Sequence, residues 1–189
     1  MTIVADLSSN EGVKGLINQL PKLDGVVLAA GIVEMWPALF ATRDKFDKIF
    51  NTNFFTPIEL LRMIVKKKLY NNGLSVVAID SIAGVSDFCV ANGIYGSGKA
   101  ALASFLKFFA LETASKGVRI NTISPGMILT PMHTGGVVEK TELEKTIEKV
   151  PLKRWGKPEE IAYSAIYLLS DAASYLTGSD IKIDGGYSI

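Results

Sequence analysis

The chain has too few of the residues that build metal centres or cross-links. Its 189 residues include one cysteine, Cys89, and one histidine, His133. A single cysteine forms no intrachain disulfide, and one Cys with one His falls short of the usual zinc site. No metal is therefore expected, and a reducing cytoplasm is the expected setting. An excess of either charge is also missing, with 20 Lys and Arg against 19 Asp and Glu for a net charge of +1. No basic tract is dense enough for nucleic acid, and Lys66-Lys67-Lys68 reads as a solvated helix end. No apolar run is long enough to span a bilayer, and no basic stretch followed by a hydrophobic one marks the amino terminus, so neither a membrane anchor nor an export signal is expected. A glycine-rich turn from strand to helix is absent as well. Gly12 and Gly15 are the first glycines, and they fall inside a predicted helix.

What remains is enough for a core. With 48% hydrophobic and 21% charged residues, residues 1–189 are expected to form one domain. Short apolar runs alternate with longer amphipathic ones. Ile3-Val4-Ala5 reads as a strand, Ser9 as the cap of a helix from about Glu11 to Leu20, and Val26 to Ala30 as a second strand ending at Gly31. A long helical region from about Arg43 to Leu69 follows, then the strand Leu74 to Ile79, a helix from about Ile94 to Ser115 and the strand Val118 to Ile123. Beyond the breaker Ser124-Pro125-Gly126, a polar stretch is helical from about Glu139 to Lys149. Pro158, with Glu159 and Glu160 in the first turn, opens a helix through Leu169. Ile181-Lys182-Ile183 and the turn Asp184-Gly185-Gly186 close the chain. This alternation implies an α/β fold whose parallel sheet is covered on both faces, with sites beyond the carboxyl ends of the strands.

Tyr95 and Lys99 stand at the start of one of those helices, four residues apart and so on one face. A phenol with a pKa of about 10 is a poor acid or base at neutral pH, but a nearby ammonium favours the phenolate. Such a pair can move a proton to or from a carbonyl or alcohol oxygen. Taken alone, the spacing is better read as two residues that merely share a helix surface by chance.

The company it keeps is more specific. Asp6-Leu7, Asp24 to Gly31, Asn53, Ser81-Ile82-Ala83-Gly84, Tyr95 with Lys99, Asn121, Pro125-Gly126, Thr130, Pro151 to Ala162, Tyr175 to Ser179 and Asp184-Gly185-Gly186 occur in this order. In that order they resemble the short-chain dehydrogenase/reductase family across essentially the whole chain. The resemblance implies a Rossmann-like three-layer sandwich with a mostly parallel sheet and an oxidoreductase using NAD or NADP. The reaction would interconvert a secondary alcohol and a ketone. It implies Tyr95 as general acid/base, Lys99 holding the nicotinamide ribose and lowering the tyrosine pKa, Ser81 donating to the substrate oxygen, and Asn53 linking Lys99 to water. Pro57 lacks an N–H, so in a continuous helix the carbonyl of Asn53 loses its partner and is open to that water. For the cofactor the resemblance implies contacts from Asp6, Leu7, Ala29, Ala30, Gly31, Tyr95, Lys99, Pro125, Gly126, Ile128 and Thr130. It also implies a substrate lid at about 130–152 and a homo-oligomer, dimer or tetramer, through the long helices bearing Phe54, Phe55, Phe105, Phe108 and Phe109.

The departures matter equally. Leu28 and Ala29 stand where the family usually has two asparagines, and Asp80 replaces the first of two common serines, where it is expected to cap a turn. The family's first βαβ unit, whose glycine-rich turn holds the pyrophosphate, should precede Ile3. The chain thus reads as amino-terminally truncated and without the family's first two strands, or with the Ile3 strand shifted beside the one at Val26. Two further readings compete. The chain could be a non-catalytic remnant acting through oligomer contacts, or a phosphate loop at Gly93 to Lys99, although Ala100 stands where Ser or Thr must hold magnesium.

Overall fold

The computed structural model describes residues 1–134 and 140–189. Four strands, β1 Leu23–Leu28, β2 Tyr70–Ile79, β3 Val118–Pro125 and β4 Asp180–Ile183, form one parallel sheet in the order β1-β2-β3-β4. Seven α-helices are described: α1 Asn10–Ile17, α2 Arg43–Phe50, α3 Thr56–Lys66, α4 Gly93–Thr113, α5 Pro131–Thr134, α6 Lys140–Lys149 and α7 Pro158–Leu169.

The central strands are buried on both faces, as their unbroken apolar runs require. Because side chains alternate along a strand, Val76 and Ala78 enter one core with Ile17 of α1, Leu61 and Ile64 of α3 and Leu106 of α4. Val77 enters the other, with Ile123 of β3 and Ile161, Ala165 and Leu168 of α7. The result is three layers, helix, sheet and helix. Ser9 caps α1 by accepting the Gly12 N–H at 3.0 Å. Glu160 secures the start of α7 by accepting the Lys157 N–H at 2.7 Å, which leaves Pro158 at the position where its missing N–H costs nothing.

Four expectations need correction. Ile3-Val4-Ala5 forms no strand, and Val4 is 94% exposed. A strand exists only through a ladder partner, and β1 pairs with β2 alone, so the shift of an Ile3 strand beside the one at Val26 does not occur. The long helix from Arg43 to Leu69 is broken into α2 and α3 by a π-helical turn over Asn51–Phe55. Pro57 cannot deliver the N–H that an α-helix would bring to the Asn53 carbonyl, and the ladder there widens so that the Thr56 N–H reaches Asn51 O. Gly93 to Lys99 lies within α4, so it is a helix and not a phosphate-wrapping loop. Finally, β1 ends at Leu28, which places Ala29 and Ala30 in the turn beyond it.

Candidate active site

The end of β2 and the first turns of α4 are pressed together by two glycines. Gly84 has φ +81, and a Cβ there would sit 2.2 Å from Gly96 O; a methyl on Gly96 would lie 3.1 Å from Gly84 N. This backbone-to-backbone approach lays the turn after β2 flat on α4. It brings Ser81 beside Tyr95, near enough for its hydroxyl to pull the phenol pKa down. The Ser81 hydroxyl also accepts the Ala83 N–H at 3.1 Å, which fixes its position.

One turn along α4, Lys99 is buried at 5% exposure, and its Nζ donates to Ile79 O at 2.7 Å. Burial pushes its pKa down, and the Asp80 carboxylate opposes that shift. The Lys99 Nζ lies 5.9 Å from the Tyr95 ring centroid. Burial pushes the Tyr95 phenol up, the Ser81 hydroxyl pulls it down, and the Asp80 carboxylate raises it further. The ammonium reaches across the ring to Ile79 O at the end of β2.

Asn53, fully buried in the π-turn, is a clamp. Its Nδ2 donates to Ile32 O at 2.8 Å and its Oδ1 accepts the Ile32 N–H at 2.9 Å. Gly31 is thereby drawn over the cleft, where an added Cβ would lie 3.5 Å from Asn53 Oδ1 and 3.7 Å from Lys99 Nζ. Asn53, Gly31 and Lys99 therefore form one cluster, joined to Ser81 through Tyr95.

The remaining predicted cofactor residues are spread more widely. Leu7, Ala29 and Ala30 line a cavity of about 320 Å³ against β1 and α3, and the Leu7 carbonyl accepts the Thr56 hydroxyl at 2.8 Å. Asp6 is exposed, and its carboxylate is engaged by the Ser8 N–H and hydroxyl, which hold its pKa below the usual range. Pro125 O accepts the Ile82 N–H at 3.1 Å and the Gly126 N–H donates to Ile183 O at 2.9 Å. A Cβ on Gly126 would strike Asp184 at 2.7 Å. Ile128 is buried beside Gly156, and Thr130 follows it just before α5. The expected lid at 130–152 includes residues 135–139, which lie outside the described residues.

Asp80 was expected to cap a turn, and it does not. It is 3% exposed, and neither carboxylate oxygen accepts a hydrogen bond. Burial, with a contribution from Asp180, pushes its pKa up to about 7, while Lys99 pulls it down. The sequence held the signal. Asp80 directly follows the apolar run of β2, and alternation from Val76 and Ala78 puts it on the face that α4 covers.

Known proteins resemble the chain over nearly its whole length. A family model described as enoyl-(acyl carrier protein) reductase matches residues 2–188. A 3-oxoacyl-[acyl-carrier-protein] reductase of Rickettsia conorii is 34% identical over 183 residues, covering 97% of this chain and 75% of the relative. The chain belongs to the short-chain dehydrogenase/reductase family. An L-xylulose reductase of Caenorhabditis elegans is 30% identical over 190 residues, covering 98% and 74% of the two chains. Among solved structures, 4-hydroxyisoleucine dehydrogenase complexed with NADH superposes with a TM-score of 0.87 at 32% identity, covering 98% of this chain and 78% of that one. A Pseudomonas aeruginosa RhlG/NADP complex gives 0.90 at 29% identity, over 99% and 76%. The short-chain dehydrogenase/reductase described here is accordingly an NAD(P)-dependent oxidoreductase, and it spans about three quarters of the length of these relatives.

Proposed function

We propose that this oxidoreductase interconverts a secondary alcohol and a ketone, with Tyr95 moving the proton. The observation that carries the reading is the joining of Ser81, Tyr95 and Lys99 at the end of β2. Two neighbouring hydroxyls lie at the carboxyl edge of a parallel sheet, where substrates of such folds bind.

A bound nicotinamide would give hydride to the carbonyl carbon or take it from the alcohol carbon. As negative charge grows on a carbonyl oxygen, the Ser81 hydroxyl donates to it and the Tyr95 phenol transfers its proton, leaving a secondary alcohol. A high phenol pKa keeps Tyr95 protonated and ready for this reductive direction. Lys99 has three N–H donors, of which Ile79 O takes one, so the buried ammonium retains donors for ribose hydroxyls. Gly31, held by Asn53, gives a cofactor close approach to the backbone beside it. The residues thus fit the nicotinamide end of the cofactor. Among the described residues no glycine-rich turn leads from a strand into a helix, so the pyrophosphate end is not addressed by them. Asp6, Leu7, Ala29 and Ala30 are assigned to the adenosine side, and Pro125, Gly126, Ile128 and Thr130 to the carboxamide side.

The substrate is read as a small carbonyl compound or alcohol, and the relatives make a 3-oxoacyl thioester and a ketose the first to try. Exposed Phe55, Phe105, Phe108 and Leu111 support a homo-oligomer packed through the π-turn and α4. Among the described residues no helix is long and apolar enough to cross a membrane, and the exposed Cys89 suits a reducing cytoplasm. The reading is tested by titrating the chain with NADH and NADPH, followed by a ketone screen. Tyr95→Phe is expected to lower turnover by about 10²- to 10⁴-fold with an unchanged circular dichroism spectrum. Undiminished turnover in that variant would overturn the assignment.

A further inference from the structure

Asp80 takes no part in the chemistry above, and the fold has placed it with care. Its N–H donates to Ile123 O at 2.7 Å, which extends the β2–β3 ladder one residue past Ile79. The side chain is therefore committed to the face beneath α4 and cannot swing to solvent. The charged and titratable groups that reach it are Lys99 and Tyr95 from α4 and Asp180 from β4.

Asp180 shows what a carboxylate on this face normally receives. It accepts the hydroxyls of Thr122 and Ser124, each at 2.7 Å. Asp80 accepts none. A buried carboxylate without donors is costly to ionise unless a cation stands nearby. Lys99 is the buried cation beside it: its Nζ bonds the carbonyl of Ile79, the residue before Asp80, and stops short of ion-pair distance from the carboxylate, whose charge favours the ammonium.

We propose that Asp80 is a positioning residue of the cleft, the buried counter-charge that keeps Lys99 an ammonium and that takes up a proton as the solution becomes acidic. Proton transfer at Tyr95 then proceeds next to a group whose charge changes across neutral pH. That last step rests on the oxidoreductase reading, whereas the pairing of Asp80 with Lys99 does not. The midpoint of about 7 for Asp80 supports the proposal from the side of energetics. An amide or hydroxyl at position 80 would fill similar space without a charge to offer.

The experiment follows the carboxyl carbons of the chain labelled with ¹³C-aspartate as pH is varied, with Asp80→Asn to assign the signal. Asp80 is expected to titrate near neutrality, apart from the other aspartates. In Lys99→Met its midpoint should rise by about one pH unit or more, a tenfold or greater change in proton affinity, because the cation that favoured its ionised form is gone. Coupling is reciprocal, so the Lys99 Cε signal in Asp80→Asn should titrate at lower pH than in the unchanged chain, and this answers the question even if Lys99→Met does not fold. An Asp80 midpoint near that of ordinary aspartates, or midpoints that ignore the partner's removal, would overturn the pairing. Where turnover is found, kcat/KM should show an inflection near neutral pH that Asp80→Asn abolishes, and identical profiles would refute the link to Tyr95. Coupled titration without turnover on any ketone would sink the oxidoreductase reading and leave the pair standing. Turnover with an ordinary Asp80 would sink the pair alone.

Discussion

Lys99 has two buried polar neighbours, and the fold provides for them in opposite ways. On the side of the π-turn, Asn53 is 0% exposed and both ends of its amide are matched to the backbone of Ile32. At the end of β2, Asp80 is 3% exposed and neither oxygen has a donor. The first arrangement is what burial of a polar group ordinarily requires, and it builds rigidity by joining the turn after β1 to α2 and α3. The second leaves desolvation uncompensated by hydrogen bonds, and it makes an ionisation equilibrium sensitive to its neighbours. A fully matched group holds the site in shape, and an unmatched one next to a cation gives it a charge that can change.

The contrast can be broken most forcefully through pH. The folded pKa of Asp80, about 7, lies above its ordinary value of 3.8, so the folded chain keeps a proton that the unfolded chain releases. The stability associated with that proton is complete below pH 3.8 and is lost as pH rises through about 7. Urea unfolding should therefore show Asp80→Asn gaining on the unchanged chain between about pH 4 and pH 8, by roughly 4 kcal/mol over the whole window. A stability difference that stays level with pH would place Asp80 in the same class as Asn53. Asn53→Leu should behave differently, because it strands the N–H and C=O of Ile32. The expected loss is about 2–4 kcal/mol at every pH, and a loss that varies with pH would blur the distinction. Thr56→Val gives the smallest effect. It removes one buried hydrogen bond to Leu7 O and should cost about 1 kcal/mol, as read from the midpoint of the same unfolding curves.

Where the sequence carried a local physical cause, the structure could be read from it. The apolar run of β2, the serine before α1, and Pro158 with the acidic first turn of α7 each act within a few residues. The four-residue spacing of Tyr95 and Lys99 likewise put them on one face of α4. Contacts between distant segments were not legible in the same way. Ile3-Val4-Ala5 has the composition of a strand, but composition does not supply a ladder partner. Pro57 signalled a disturbed helix without saying that the ladder would widen. The spacing of Tyr95 and Lys99 did not reveal that the ammonium reaches back to Ile79 O. Asp80 was misread because aspartate so often serves in turns, although counting by twos along β2 would have put it under α4.

The π-turn over Asn51–Phe55 also fixes the length of this part of the chain. A turn closed five residues apart holds one more residue than an α-helical turn. Deleting a residue between Asn51 and Phe55 would let α2 run straight into α3 with their faces kept in phase, but the widened turn that holds the Asn53 amide against Ile32 would close. Such a stretch accepts changes of letter more readily than changes of count, and a single missing codon there would do more damage than most substitutions.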